Sequence, residues 1–173
     1  MIQVVTEITI DAPIERCFDA ARDIDLHTQT VWGHTREQAV SGVTTGLIGD
    51  GDTVTFEATH LGVRQRLTSE IAEYERPYRF VDQMLNGAFK SMRHEHSFTQ
   101  LGNHTTRMTD TLKFEAPLGV LGWIAERIVL KRYMTAFLES RNQKLKMIVE
   151  SGYVRPVYND NSQNVNIRTN KNN

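Results

Sequence analysis

Residues whose side chains can exchange protons or bind metals concentrate in one stretch, KSMRHEHSFTQLGNHTTRMTD, at positions 90–110. His94 and His96 stand two positions apart in this stretch, and Asp110 ends it. An imidazole titrates near neutral pH, and a neighbouring carboxylate can fix its tautomer. His94, His96 and Asp110 are therefore the candidate catalytic residues, with acid/base chemistry or ligand recognition as the role.

Two other interpretations of the same residues remain open. A buried carboxylate needs a partner and an imidazole supplies a donor, so the cluster can be a hydrogen-bonded network with a structural role only. Two histidines two apart on a strand lie about 6.5 Å apart at Cα and can share a metal ion. The third ligand would have to come from elsewhere in the chain, from His27, His34, His60 or Asp110. Neither a metal nor another cofactor is predicted.

Strands must position these side chains. If residues 89–99 form a strand, side chains alternate, and one face carries Met92, His94, His96 and Phe98. In a partner strand over 105–115, the matching face carries Met108, Asp110, Leu112 and Phe114. Both faces are mostly apolar and are predicted to face inward.

The hairpin between these strands determines which residues pair. A loop centred near Gly102 pairs positions whose numbers sum to about 204. This register places His94 opposite Asp110 and His96 opposite Met108, to within one step.

The rest of the chain predicts an α+β layout. MIQVVTEITI alternates with period two and predicts a first strand, and DAPIERCFDAARD and the residues after it predict short helices. Residues 36–115 read as successive antiparallel strands separated by turns. After Pro117 the apolar period becomes 3.6, which predicts a C-terminal helix of about thirty residues.

Three segments resemble the START-like superfamily (SRPBCC, Bet v 1-like), in particular its bacterial polyketide cyclase/dehydrase-like branch. They are ITIDAPIERCFDAARDIDLH, GDTVTFEATHLGVRQRLTSEIAEYERPYRFVDQMLNGAF and MRHEHSFTQLGNHTTRMTDTLKFEAPLGVLGWIAE. The resemblance covers nearly all of residues 1–150 and implies a helix-grip fold. In that fold a curved antiparallel sheet, here of six or seven strands, wraps around a long C-terminal helix and leaves an apolar cavity.

The resemblance implies binding of a lipid-, polyketide- or aromatic-like molecule, and the residues leave two classes of function open. A carrier or sensor needs only an apolar cavity, whereas a cyclase or dehydratase also needs a base and an oxyanion donor. The carrier or sensor is favoured because neither a nucleophile nor an oxyanion hole is identifiable, and a protein-interaction module stays open as a third class. The predicted ligand-binding residues are Phe56, Met92, His94, His96, Phe98, Met108, Asp110, Leu112 and Trp123.

The composition limits which partners, domains and cellular location are expected. The 173 residues carry a formal net charge of -1, with scattered basic residues, and this argues against a nucleic-acid partner. We expect one ligand-binding domain over 1–152 and a polar, Asn-rich tail over 153–173. Because no signal peptide or run of eighteen apolar residues is visible, we expect a cytoplasmic protein without an integral membrane segment. The oligomeric state is left open.

Overall fold

The structure is a computed structural model, and it describes residues 1–115 and 129–152. Strand β1 (Ile2–Ile10) is followed by helix α1 (Ile14–Ala21), helix α2 (Ile24–Thr30) and a 3-10 turn (Gly33–Thr35). Six strands come next: β2 (Gln38–Gly42), β3 (Thr53–His60), β4 (Val63–Glu75), β5 (Arg79–Asn86), β6 (Ser91–Gly102) and β7 (Thr105–Glu115). The last described element is helix α3 (Lys131–Glu150).

The described strands form one seven-stranded antiparallel sheet in the order β1-β7-β6-β5-β4-β3-β2. Consecutive strands from β2 to β7 are neighbours, and β1 completes the sheet beside β7. The sheet, the two short helices after β1 and the long C-terminal helix confirm the predicted helix-grip fold.

Alternation along the central strands builds the inner face of the sheet. On β7, Met108, Asp110, Leu112 and Phe114 are all buried, while Arg107 and Lys113 are exposed. On β6, Met92, His96 and Phe98 are buried as predicted. The outward residues Arg93 and Glu95 join ion pairs with Glu73 and Arg79. Even-numbered positions of both strands therefore face the core, as the period of two requires.

Helix α3 packs on this inner face. Its buried apolar residues Phe137, Leu138, Leu145 and Val149 recur at helical spacing. Polar residues also anchor the helix: for example, Asn142 Nδ2 donates to Thr6 Oγ1 on β1, and Lys144 Nζ donates to the carbonyl of Val31. The described helix has 20 residues. The predicted start after Pro117 lies outside the described residues, as do the predicted tail over 153–173 and Trp123.

The register of the β6–β7 hairpin differs from the predicted pairing by one step, which is the margin that the prediction allowed. His96 pairs with Asp110 and His94 with Leu112, so paired positions sum to 206 rather than about 204. The physical reason is the turn. Gly102 pairs with Thr105, which leaves Asn103 and His104 at the tip, and a bulge between Gln100 and Gly102 adds one residue to β6.

Across the described ranges, no helix is both long enough and apolar enough to span a bilayer.

Candidate functional site

A cavity of about 500 Å³ lies between the inner face of the sheet and helices α2 and α3. Most of its wall is apolar and comes from several elements, including Ile24, Phe56, Met92, Leu112, Phe137 and Leu138. Well-packed interiors hold few voids larger than a water molecule, so a space of this size is a ligand-sized feature.

The structure separates the predicted site residues into two layers. Phe56, Met92, His94, His96 and Leu112 line the cavity. Phe98, Met108 and Asp110 are buried in the layer behind the wall and do not line it. Phe98, for example, packs edge-to-face against Phe18 of α1. Trp123 lies outside the described residues.

One cluster of polar side chains lies against the wall formed by β5, β6 and α3. We call Asp82, His94, His96, Asp110 and Arg141 the inner polar group. His96 stands between two carboxylates: its Nε2 lies 3.2 Å from Asp82 Oδ2, and its Nδ1 lies 2.5 Å from Asp110 Oδ1. The contact between His96 Nδ1 and Asp110 Oδ1 does not have the geometry of a hydrogen bond, so it acts as an ion pair. His94 Nε2 lies 3.6 Å from Asp110 Oδ1.

Helix α3 supplies the remaining partners of Asp110. Asn142 Nδ2 donates to Asp110 Oδ2 over 2.6 Å, and Arg141 Nη1 lies 3.9 Å from the same oxygen. Arg141 is 4% exposed and lines the cavity, yet its Nε and Nη1 have no hydrogen-bond partner within residues 1–115 and 129–152. His94 Nε2 has none there either. Two residues of the cavity wall, His94 and Arg141, therefore hold buried nitrogens whose hydrogen-bonding capacity is unused within the described ranges.

Burial and mutual charge set the protonation of this group. Burial alone would raise the pKa of Asp110, but His96 and His94 hold that pKa well below its ordinary value. Burial alone would lower the pKa of His96, but the charge of Asp110 and contacts with Asp110 and Asp82 raise it. Burial and the charge of His96 lower the pKa of His94 to about 4. At neutral pH, His94 is the uncharged imidazole of the pair.

The residues best placed to hold a metal are Asp82, His94 and His96, whose ligand atoms all lie within 4.8 Å of one another. Two imidazoles and a carboxylate are an accepted donor set for divalent transition metals. Both nitrogens of His96 already face carboxylates, which favours a protonated ring. A metal ion would have to displace that proton, so the contacts favour a network of ion pairs over a metal centre.

A second cluster lines the same cavity beside the β3–β4 hairpin. We call His27, Glu37, His60 and Tyr133 the outer polar group. Glu37 Oε1 lies 2.6 Å from His27 Nε2, and His60 Nδ1 lies 2.8 Å from the Tyr133 hydroxyl. Glu37 Oε2 lies 3.7 Å from His60 Nε2, which is beyond hydrogen-bond distance. The hairpin residues Leu61 and Val63 line this end of the cavity and are each 62% exposed.

The outer polar group is an ionised carboxylate with a neutral phenol near it. Burial alone would raise the pKa of Glu37, but its hydrogen bond with His27 and its ion-pair contact with His60 lower that pKa to about 2. Burial and the charge of Glu37 raise the pKa of Tyr133, so its hydroxyl keeps its proton. The two polar groups also interact, because the charge of His27 contributes to the lowered pKa of Asp82.

Sequence reasoning missed Asp82, Glu37, Tyr133 and Arg141 as site residues. Each is isolated from the histidine-rich stretch in sequence, and the fold brings it to the cavity. For Arg141 a signal existed: a basic residue lies among Phe137, Leu138 and Leu145 on the apolar face of the helix pattern. A buried arginine at such a position requires an acceptor.

The sequence matches one family model, described as polyketide cyclase / dehydrase and lipid transport, over residues 1–150. None of the curated proteins matches the chain.

Solved structures with the same fold come from bacteria and plants. The protein TTHA0849 from Thermus thermophilus superposes with a TM-score of 0.69 at 22% identity, over 88% of this chain and 100% of that one. A START superfamily protein from Mycobacterium smegmatis gives 0.67 at 16% identity, over 87% and 99%. Ginseng major latex-like protein 151 from Panax ginseng gives 0.60 at 12% identity, over 84% and 95%. At these identities the similarity concerns the fold alone.

Proposed function

Because the chain belongs to the polyketide cyclase/dehydrase and lipid transport family of the START-like superfamily, we propose that it binds a hydrophobic small molecule in its internal cavity, as a carrier or sensor. The observation that carries the proposal is the cavity of about 500 Å³ with its largely apolar wall. Small-molecule sites typically measure about 300–1,000 Å³ and combine apolar walls with a few polar groups.

The free energy of binding comes mainly from the walls. Burial of apolar surface contributes roughly 25 cal/mol per Å², so a ligand that fills the cavity gains affinity without any charged contact. The inner polar group then orients the ligand. His94 lines the cavity, is neutral, and has an Nε2 that is unpaired within the described ranges. Asp110, in contrast, is fully buried behind the wall and is held by His96 and Asn142.

A second candidate function is acid/base catalysis of cyclisation or dehydration by the inner polar group. The observation that favours it is the imidazole of His94, which lines the cavity and has an Nε2 without a hydrogen-bond partner in the described ranges. A general base is most effective when its pKa lies near the working pH, and a pKa of about 4 makes His94 a weak base at neutrality. The only serine described on the cavity wall, Ser69, has no hydrogen-bonded base among the described residues. Ligand binding is therefore the better-supported function.

Titration with a neutral apolar fluorophore, N-phenyl-1-naphthylamine, tests the proposal. We expect saturable binding to one site per chain, with blue-shifted emission. His94→Phe should fold normally, because Asp110 keeps its contacts with His96 and Asn142, but it should change which oxygenated competitors displace the probe. His104→Phe, at the exposed tip of the same hairpin, is the matched control and should behave like the wild type. Absence of saturable probe binding to the wild type would overturn the proposal.

A separate measurement tests the catalytic alternative. An enzyme that enolises its ligand should exchange the α-protons of a bound aryl ketone such as 2-tetralone with deuterated water, as followed by NMR. Exchange that the wild type accelerates and His94→Phe does not would favour the acid/base function. Exchange at the buffer rate would leave ligand binding as the function.

A further inference from the structure

The outer polar group is rich in acceptors for hydrogen bonds. Its carboxylate, Glu37, has a side chain that is only 7% exposed and is ionised at neutral pH, so it can accept but not donate. Oε1 is engaged by His27 at 2.6 Å. Oε2 has only the 3.7 Å ion-pair contact with His60, so within the described part of the chain it keeps an unused acceptor position.

Tyr133 presents a second acceptor to the same end of the cavity. The charge of Glu37 favours the proton of His60 on Nε2, the nitrogen that faces the carboxylate. His60 Nδ1 is then an acceptor, and the Tyr133 hydroxyl donates to it over 2.8 Å. The phenolic oxygen keeps its lone pairs for another donor. Tyr133 lines the cavity, as do Glu37 and His60.

The inner polar group has the opposite character. Arg141 lines the cavity, and two of its donor nitrogens, Nε and Nη1, are buried without a hydrogen-bond partner in the described ranges. An arginine offers donors only. Tyr133 and Arg141 are eight residues apart on α3, which corresponds to about 12 Å along the helix axis. Apolar residues of the same helix, Met134, Phe137 and Leu138, line the cavity between these levels.

We infer that the outer polar group is a second ligand-binding site of the cavity, in which a hydroxyl group of the ligand donates one bifurcated hydrogen bond that Glu37 and Tyr133 share as acceptors, while Arg141 at the inner end binds a neutral carbonyl oxygen. The inference rests on the proposed function. It defines the ligand class as a neutral, elongated hydroxy-ketone: an apolar body with a hydroxyl group at one end and a carbonyl at the other, about 12 Å apart.

Charge balance explains why both ligand groups are neutral. The inner polar group contains two carboxylates, Asp82 and Asp110, against the guanidinium of Arg141 and the ring of His96 with its raised pKa. These charges compensate one another, so a ligand carboxylate would add an unbalanced buried charge. At the outer end, Glu37 would repel an anion in the same way. A hydroxyl or carbonyl satisfies the free positions without that electrostatic cost.

Three probes of one chain length test the inference: dodecan-2-one, 11-hydroxydodecan-2-one and dodecane-2,11-dione, each in competition with N-phenyl-1-naphthylamine. The wild type should bind the hydroxy-ketone about fivefold more tightly than either of the others, the equivalent of about one net hydrogen bond. Tyr133→Phe removes the phenolic oxygen and keeps the ring. It should reduce the preference to about twofold or less, without changing the affinity for dodecan-2-one. Tyr78→Phe, at an exposed tyrosine outside the cavity, is the control and should keep the full preference.

The outcomes separate this inference from the proposed function. If all three ketones displace the fluorophore with equal affinity, or the diketone binds best, the second site is wrong while hydrophobic ligand binding stands. If the fluorophore itself does not bind, the proposed function fails. A preference that Tyr133→Phe leaves intact would also overturn the assignment. The comparison of the three probes on the wild type does not depend on whether a variant folds.

Discussion

Asp110 shows how one buried charge organises its neighbours. Its side chain is fully buried, and a carboxylate without partners in such a place would destabilise the fold by several kcal/mol. Contacts come from three elements at once: His96 and His94 on β6, Asn142 and Arg141 on α3, and indirectly Asp82 on β5 through His96. Because His96 and Asn142 make the shorter contacts with Asp110, the fold does not depend on the 3.6 Å contact of His94, whose ring also lines the cavity.

Glu37 gives a prediction about acid stability. Its folded-state pKa of about 2 lies below the ordinary value of 4.5, so its ionised form stabilises the fold fully above pH 4.5. That contribution is lost as the pH falls from 4.5 to 2. A shift of this size corresponds to about 3 kcal/mol of free energy of unfolding. We expect Glu37→Gln to have a lower free energy of unfolding than the wild type at pH 7. The difference between the two proteins should become steadily smaller below pH 4.5.

Urea unfolding at pH 7, 4 and 3 measures the difference in free energy of unfolding between Glu37→Gln and the wild type. Glu139→Gln, at an exposed position of α3, is the matched control and should change the free energy of unfolding by less than about 0.5 kcal/mol at each pH. A gap between Glu37→Gln and the wild type that stays constant from pH 7 to pH 3 would contradict the assigned pKa shift.

At the scale of elements, small irregularities decide where the site residues lie. The turn pairs Gly102 with Thr105, a register that would place Ser97 opposite Asp110, and the bulge between Gln100 and Gly102 shifts β6 by one residue so that His96 lies there instead. A second irregularity lies on the other side of the sheet. Strand β2 has a bulge between Ala39 and Ser41, and it ends at Gly42, which has a positive φ of 75°. Glu37 directly precedes this strand, so the path of β2 helps to position the outer polar group.

Gly42 gives the prediction at this scale. A Cβ built at Gly42 would lie 2.1 Å from the carbonyl oxygen of Thr53 on β3, a contact with backbone that no side-chain movement relieves. The positive φ adds a further cost of about 1–2 kcal/mol for any residue with a Cβ. Gly42→Ala should therefore reduce the free energy of unfolding by about 2 kcal/mol or more, as measured by urea denaturation.

Gly102→Ala is the matched comparison, since a Cβ at Gly102 would meet nothing within 4 Å. We expect a change within about 0.5 kcal/mol there. Equal effects of the two substitutions would show that the close approach of β2 to β3 does not constrain the fold.

The molecule as a whole combines a packed region with a hollow one. On one side, Phe18 of α1 packs edge-to-face against Phe80 and Phe98 of the sheet. On the other, α2, α3 and the sheet enclose the cavity of about 500 Å³. A cavity lowers stability because its lining atoms lose packing partners, so the hollow region is the place where a ligand can stabilise the fold.

A larger side chain placed in the cavity tests whether this region binds the ligand. Ala58 on β3 is 5% exposed and lines the cavity, so Ala58→Phe places a ring in the space that the ligand would occupy. We expect affinity for N-phenyl-1-naphthylamine to fall at least tenfold, while the Tm stays equal or rises because apolar surface is buried in a void.

Thr59→Phe places the same ring at the next position of the strand, on the opposite face of the sheet, and should leave probe affinity unchanged. If Ala58→Phe binds the probe as well as the wild type does, the fluorophore occupies some other surface and the cavity is not the binding site.

Local sequence patterns were enough to predict the fold class and the inward faces of the central strands. Periods of two and 3.6 depend only on local backbone geometry, and that geometry places His96, Asp110 and Phe137 on buried faces wherever the strands and the helix dock. Tertiary structure alone decided which side chains meet. The position of the β6–β7 turn and a one-residue bulge together set the partner of Asp110, and the docking of α3 brought Arg141 and Tyr133 to the cavity wall. The outer polar group combines residues from a loop, a strand and a helix that are tens of positions apart, namely Glu37, His60 and Tyr133. Their contacts form only when these elements pack around the cavity, so no local sequence pattern predicts them.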